Sequence, residues 1–172
     1  SEPHVAARRG LGFVPEDRKV DGLVAEYSVA ENLMLDRSFK GPFTKGPAID
    51  FAHRDAFADK AINEFDIRTP NRDVLVGRLS GGNQQKVVLA RELGRELKLF
   101  VASQPTRGVD VGSIEFIHER VIEVRDSGVP VLIIDDDQQH VERAHAAGIP
   151  GIRGSAAADK VLAEAHPEKA KI

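Results

Sequence analysis

The chain has no cysteine, which excludes disulfides, thiolate metal sites and a cysteine nucleophile and fits a reducing compartment. It has no basic surplus. Its 24 Lys and Arg face 27 Asp and Glu, a formal net charge of −3, so no nucleic-acid partner is expected. Long hydrophobic runs are missing too. The longest, Val129 to Ile134, is far short of the ~20 residues that cross a bilayer, so no direct membrane insertion is expected. The opening residues Ser1 to Val5 are polar, so no signal peptide is expected. The six histidines show no metal-ligand spacing. His140 and His145 do not align on one helix face, and both are expected on the surface. Finally, no G-x-x-x-x-G-K-[ST] phosphate loop occurs in the 172 residues. Gly41 and Gly46 have the glycine spacing, but Pro47 and Ala48 follow them.

What remains is an ordinary globular composition, 41% hydrophobic and 30% charged, long enough for one domain or two small ones. Short apolar runs at 11–14, 97–102, 130–135 and 149–152 read as strands. Between the later runs lie helical patterns: 112–125, with Ile114, Ile117, Val121 and Val124 in one stripe, and 137–147. Ala-rich 156–166 reads as a further helix. This alternation predicts an α/β fold with a small parallel sheet flanked by helices. The earlier residues differ. Ser28-Val-Ala-Glu31 is a capping box opening a helix to about Leu35. Residues 38–49, with Gly41, Pro42, Gly46 and Pro47, read as loop. Asp50 caps a helix over 51–65 whose apolar face carries Phe57, Ala61, Ile62 and Phe65. A mostly helical subdomain inserted near 26–78 is therefore expected.

The most informative run is Leu79-Ser-Gly-Gly-Asn-Gln-Gln-Lys86. Ser80 is a natural N-cap for a helix over about 82–94. Gly81 and Gly82 lack a Cβ, so a phosphate could come close to the backbone at a helix N-terminus, which favours anions. Asp135-Asp-Asp137 invites a metal reading. Consecutive side chains diverge, however, and acids favour helix N-termini, so it reads as a strand-end Asp followed by capping acids with no metal. Arg8, Arg9, Arg18 and Lys19 form a basic cluster expected to be solvated.

The run 79–86 resembles the signature loop of ABC (ATP-binding cassette) transporter ATPases, in the sugar and nucleoside importer branch. Gly12-Phe-Val-Pro-Glu-Asp-Arg-Lys19, with Asp21-Gly-Leu23 and Ser28-Val-Ala-Glu-Asn-Leu33, resembles the lever segment of the second cassette there. Gln104-Pro-Thr-Arg-Gly-Val-Asp-Val-Gly112 resembles the stretch from the catalytic position into the D-loop. Glu115-Phe-Ile-His118 points toward nucleoside-type members. The resemblance covers about residues 5–134. It implies that Ser80, Gly81, Gly82, Asn83 and Gln84 contact ATP held in trans by a second cassette. It puts Glu16 at the lever position, where Gln is usual, and Asp110 in the D-loop. It implies that 26–78 faces a membrane permease subunit, with the chain cytoplasmic and peripheral to the membrane. The catalytic strand should end in Asp-Glu, for Mg²⁺ and for orienting water. Ser103 and Gln104 stand there instead, and neither supplies the charge for Mg²⁺ or a general base. No catalytic residue is therefore assigned, and the chain is not expected to hydrolyse ATP alone.

From Val131-Leu-Ile-Ile-Asp-Asp-Asp137 onward, with Val141-Glu-Arg143, Gly148-Ile-Pro150, Ile152-Arg-Gly-Ser155 and Val161 to His166, the sequence resembles a TrkA-N (RCK-type) Rossmann domain. That resemblance implies a ribose contact at Asp135 and an adenine-side contact at Ser155, with NAD as ligand. The G-x-G-x-x-G turn that would precede them is missing; Gly10-Leu-Gly-Phe-Val-Pro15 is a near miss. The expected organisation is thus composite: an ABC ATPase-like fragment over 1–131 and a Rossmann-like βα segment over 132–172 that completes the sheet. The alternative function is a nucleotide sensor for NAD, ATP or AMP, or a purely structural α/β module.

Overall fold

The computed structural model describes residues 10–155 apart from 36, 38–41 and 47. The expected helix at 156–166 and the cluster members Arg8 and Arg9 lie outside the described residues. Strand β1 spans Leu11–Val14 and is followed by one π-helical turn, Arg18–Gly22. Helix α1 (Val29–Met34), strands β2 (Thr44–Lys45) and β3 (Ala48–Ile49), and helix α2 (Phe51–Glu64) form the insertion. Helix α3 (Gly81–Leu93) leads to β4 (Leu99–Ser103), α4 (Val111–Asp126), β5 (Val131–Asp135), α5 (Gln138–Ala146) and β6 (Gly151–Arg153).

The α/β expectation holds. The sheet runs in the order β1-β4-β5-β6 and all its neighbours are parallel. Caps set the helix starts. The Ser28 hydroxyl accepts the Glu31 amide while the Glu31 carboxylate accepts the Ser28 amide at 2.7 Å, a complete capping box. Asp50, Ser80, Asp110 and Asp137 each cap the helix that follows them.

Two local expectations are corrected. Strands β2 and β3 pair antiparallel, Thr44 opposite Ile49 and Lys45 opposite Ala48, where a plain loop was expected. Gly46 takes φ +63°, a conformation open mainly to glycine. The last strand starts at Gly151 and not at Ile149. The Ile149 amide bonds to Ala144 O at the end of α5, so Ile149 closes the helix and buries its side chain.

Registers decide which strand residues share a face. Gly12, Phe100 and Val131 stand in one row, and Val14, Ala102, Ile133 and Gly151 in another. All of these except Gly151 are buried. Val14, Phe100, Ala102, Val131 and Ile133 form one core cluster with Val87 and Val88 of α3 and with Ile117 and Val121 of α4. Alternation sends Leu11, Leu99, Phe13, Val101, Leu132 and Ile152 to the opposite face. These are half-buried or, for Phe13, exposed; Ile134 shares their face and is fully buried, and none of them joins the core cluster.

Strand β1 is the edge of this sheet. Its outward groups are met by side chains of the α3 end. The Phe13 amide donates to Glu92 Oε2 at 3.1 Å, and Arg95 donates to Leu11 O at 3.0 Å. Glu92, itself buried, also pairs with Arg91 and Arg95.

Candidate functional site

The carboxyl ends of the strands carry two polar corners. The first surrounds the head of α3. Ser80 is exposed, and its Oγ accepts from Asn83 N at 3.4 Å and Asn83 Nδ2 at 2.9 Å. By helix geometry the amides of Gly81 and Gly82 have no acceptor inside the helix.

The two glycines are needed for a reason other than the expected phosphate approach. A Cβ on Gly81 would stand 2.5 Å from a guanidinium nitrogen of Arg18 and 2.6 Å from Gly108 O. A Cβ on Gly82 would stand 2.2 Å from Ser113 Oγ and 2.5 Å from Asp110 Oδ2. The protein's own loops fill the space that the missing side chains leave.

Beyond Gly82 the signature run turns inward. Asn83 Oδ1 accepts the Arg68 amide at 2.8 Å. Gln84, an expected nucleotide contact, is buried and donates to Val76 O at 3.3 Å, while its Oε1 has no hydrogen-bond partner. Gln85 donates to Pro105 O at 2.8 Å. Lys86 Nζ donates to Asp66 O and Oδ2 and lies 4.6 Å over the Phe116 ring. From Gln84 to Glu92 every residue of α3 is buried, so beyond its first turn the helix is covered on all sides and only its head reaches solvent.

Beside Ser80 opens a cleft of about 380 Å³ lined by Asn83, Lys86, Asp110, Ser113, Glu115 and Glu119 among others. Asp110 caps α4 through Ser113 N at 3.0 Å and accepts Ser113 Oγ at 2.8 Å. These two bonds hold its carboxyl below the ordinary value.

At the end of β4, Ser103 is fully buried and its Oγ has no partner. Gln104 is buried with φ +45°, a strained conformation for a residue with a side chain. Glu16 follows β1, the strand that pairs with β4. Its Oε1 pairs with Arg107 at 2.8 Å, and its Oε2 accepts from Ser155 Oγ. Ser155, the expected adenine-side contact, thus lies against the lever position. Arg18, expected in a solvated cluster, is corrected: it is half-buried against Gly81 and Gly108. Burial lowers its guanidinium below the ordinary value, and neighbouring Asp17 partly offsets this.

The second corner surrounds Asp135. Its side chain is buried, its Oδ1 accepts the Asp137 amide at 2.9 Å, and His140 Nδ1 lies 3.1 Å from Oδ2. His140 is therefore corrected from a surface residue to a half-buried carboxylate partner. His145 is exposed, as expected, with Nε2 3.1 Å from Gly151 O. Asp135 and His140 line a cavity of about 110 Å³ with His118, Arg143 and an apolar wall that includes Val121, Ile122 and Ile133. Desolvation pushes the His118 imidazole below its ordinary value, with His140 and Arg143 adding to the effect. Among the described residues no group of three or more acids or histidines could hold a metal ion.

The ABC transporter family profile matches residues 2–107. The chain belongs to the ABC transporter family. This family member is 46% identical over 132 residues to the nucleoside import ATP-binding protein NupA of Lactococcus lactis subsp. cremoris (strain MG1363), covering 77% of this chain and 26% of NupA. It is 39% identical over 142 residues to the guanosine import ATP-binding protein NupO of Bacillus subtilis (strain 168), covering 81% of this chain and 27% of NupO. The chain thus spans about a quarter of the length of these relatives. Its fold is similar to the dimeric structure of MJ0796, a bacterial ABC transporter cassette. The TM-score is 0.62 at 26% identity, over 78% of this chain and 56% of that one. A post-hydrolysis dimer of the same cassette, bound to ADP and Pi, matches with a TM-score of 0.62 at 24% identity, over 81% and 57%. A second profile, the TrkA-N domain, matches residues 117–172.

In this ABC transporter family chain the structure gathers Glu16, Gly81, Gly82 and Asp110 around Arg107, Gly108 and Ser113. It leaves Asp135 in a separate corner on the far side of β4. Sequence reading missed Arg18 and Ser113 as parts of the first corner. Only the obligatory glycines at 81 and 82 hinted that something packs against them. No helix of the described residues is long and apolar enough to cross a membrane.

Proposed function

We propose that the chain is the signature-bearing part of an ABC importer's ATP-binding subunit and does not hydrolyse ATP alone. One contrast carries this reading. The head of α3 offers an exposed Ser80 hydroxyl and two amides without a helical acceptor, whereas β4 ends in buried Ser103 and Gln104, with no carboxylate. Two amides and a hydroxyl at a helix head fit a phosphoryl group. The adjoining cleft does not add counter-charge, since Asp66, Asp110, Glu115 and Glu119 outnumber Arg68 and Lys86. Contact with ATP therefore rests on Ser80, Gly81 and Gly82, with the phosphate loop and Mg²⁺ ligands supplied by a second cassette. The insertion at 26–78 faces a permease, on the cytoplasmic side of the membrane. The transported class is a nucleoside or sugar, in line with the relatives' names. Hydrolysis by the chain alone and with an added phosphate-loop cassette tests this. We expect no turnover alone, and ATP retention by the partner that rises with the chain and is lost in Ser80→Arg. Mg²⁺-dependent turnover by the purified chain alone would overturn the reading.

The TrkA-N match favours a second reading, nucleotide sensing by a Rossmann-like segment over 132–172 joined at β5 to an ABC-like segment over 1–131. The parallel pairing of β5 with β4 on one side and β6 on the other supports a seam there. The residues present do not fit a dinucleotide. Asp135 has both oxygens engaged, and its cavity of about 110 Å³ is well below the roughly 300–1,000 Å³ of a drug-sized site. Calorimetric titration with NAD, AMP and ATP separates sensing from a purely structural role. NAD binding that Asp135→Ala abolishes would establish the sensor.

A further inference from the structure

Arg18 lies 63 residues before Gly81 and 89 residues before Arg107 in the sequence, yet its guanidinium touches both loops. The local chain aims it. Asp17 accepts the Lys19 and Val20 amides at 2.9 and 3.3 Å, closing the single π-helical turn from which Arg18 projects. One terminal nitrogen then donates to Arg107 O at 2.7 Å and the other to Gly108 O at 3.0 Å. Gly108 turns its carbonyl into this fork through φ +65°, a conformation glycine adopts without strain. The same guanidinium and the same Gly108 oxygen stand where a Cβ on Gly81 would be. A few residues further on, Asp110 and Ser113 fill the corresponding space at Gly82.

A cation at a helix head is electrostatically unfavourable, because the helix dipole is positive there. Burial adds to that cost. A surface arginine would swing into solvent, but this one is held by two backbone carbonyls. Such a fork is specific to guanidinium, since an ammonium is a point charge that cannot span two fixed acceptors in a plane.

We propose that Arg18 is a positioning residue that clamps the 107–110 loop against the head of α3. The signature loop, the loop before α4 and the lever segment then move as one unit. The Glu16–Arg107 ion pair is the second, weaker strut of the same unit: it is exposed on the Arg107 side and joins flexible side chains. The clamp itself depends on no nucleotide. Its relevance to ATP rests on the function proposed above, because the amides it steadies are those of Gly81 and Gly82.

Residue-resolved amide hydrogen exchange on the whole chain, without nucleotide, tests the clamp. The variants are Arg18→Lys, which keeps the charge, and Arg18→Met, which keeps most of the stem. We expect exchange at the hydrogen-bonded amides of Asn83, Gln84, Arg107, Ser113 and Ile114 to rise at least tenfold in both, with the β4 and β5 amides unchanged. Wild-type protection in Arg18→Lys would overturn the proposal, since charge alone would then suffice. A uniform rise across the sheet would also overturn it, by making Arg18 a general stabiliser. Adding a phosphate-loop cassette with ATP is a separate arm. If the nucleotide reading fails, wild type and variants alike leave the partner's ATP retention unchanged, while the exchange result stands. If both hold, Arg18→Lys lowers that retention by the factor by which it loosens the loop.

Discussion

Neighbouring residues of β5 meet opposite surroundings. Ile133 is buried in the cluster shared with α3 and α4, whereas Leu132 points the other way, half-buried and outside that cluster. The same contrast runs across the sheet, with Phe100 against Val101 and Val14 against Phe13. Strand order explains it. Steps from β4 to β5 to β6 all move the same way, and right-handed crossovers then stack their helices on one face. Parallel sheets are ordinarily covered on both faces. The second face is itself graded: Leu132 is half-buried, whereas Ile134, two residues on at the carboxyl end of the strand, is fully buried, so an apolar strand sequence can carry unequal neighbours along one face.

The largest expected effect separates Ile133 from Leu132 directly. Ile133→Ala should cost about 2–5 kcal/mol by denaturant unfolding, through lost burial plus a cavity. Leu132→Ala should cost about 1 kcal/mol, because less of its surface leaves water. Equal costs would mean that the second face is packed as tightly as the first.

A smaller effect carries the crowded-versus-open contrast to the strand ends. Gly82→Ala should cost about 1–3 kcal/mol, because Ser113 and Asp110 must move for its methyl group. Gly112→Ala, whose nearest neighbour would be Asp110 Oδ1 at 3.6 Å, should be neutral or stabilise by roughly 0.5–1 kcal/mol through helix propensity. Thermal melts of the pair should therefore move in opposite directions or differ clearly.

The smallest effect is a slope against pH. His118, half-buried on the wall of the Asp135 cavity, has its folded pKa lowered by desolvation. As pH falls below the ordinary value of 6.5, the unfolded chain takes up the proton first, so stability declines until folded His118 also protonates. His118→Phe should flatten the decline between pH 7 and 5. Asp110 acts in a separate window. Its lowered pKa gives stability above the ordinary 3.8 that is lost as pH falls through the folded value. Identical slopes in wild type and His118→Phe would remove His118 from this account.

Local chemistry was legible in the sequence and long-range juxtaposition was not. Ser28, Asp50, Ser80 and Asp137 announce helix starts because a cap needs only residues within one turn. The strands announce themselves as short apolar runs. Their one-sidedness does not, since Leu132 and Ile133 are equally apolar and only register with β4 and β6 tells them apart. Likewise Gly81 and Gly82 read as room for a phosphate, because the groups that fill that room come from residues 18, 108, 110 and 113. The pairing of β2 with β3 was hidden because the stretch around Gly46 has the composition of an open loop. From sequence His140 looks solvated, because its distance from Asp135 depends on how α5 leaves the sheet.

Glu92 and Arg95 at the end of α3 give the outer edge of β1 an acceptor and a donor spaced as a neighbouring strand would offer them. They act as a counterfeit strand made of side chains. An exposed strand edge is the usual starting point for chains to join into fibres. On this side the invitation is already answered from within, and a charged pair must be dislodged before another chain can take its place.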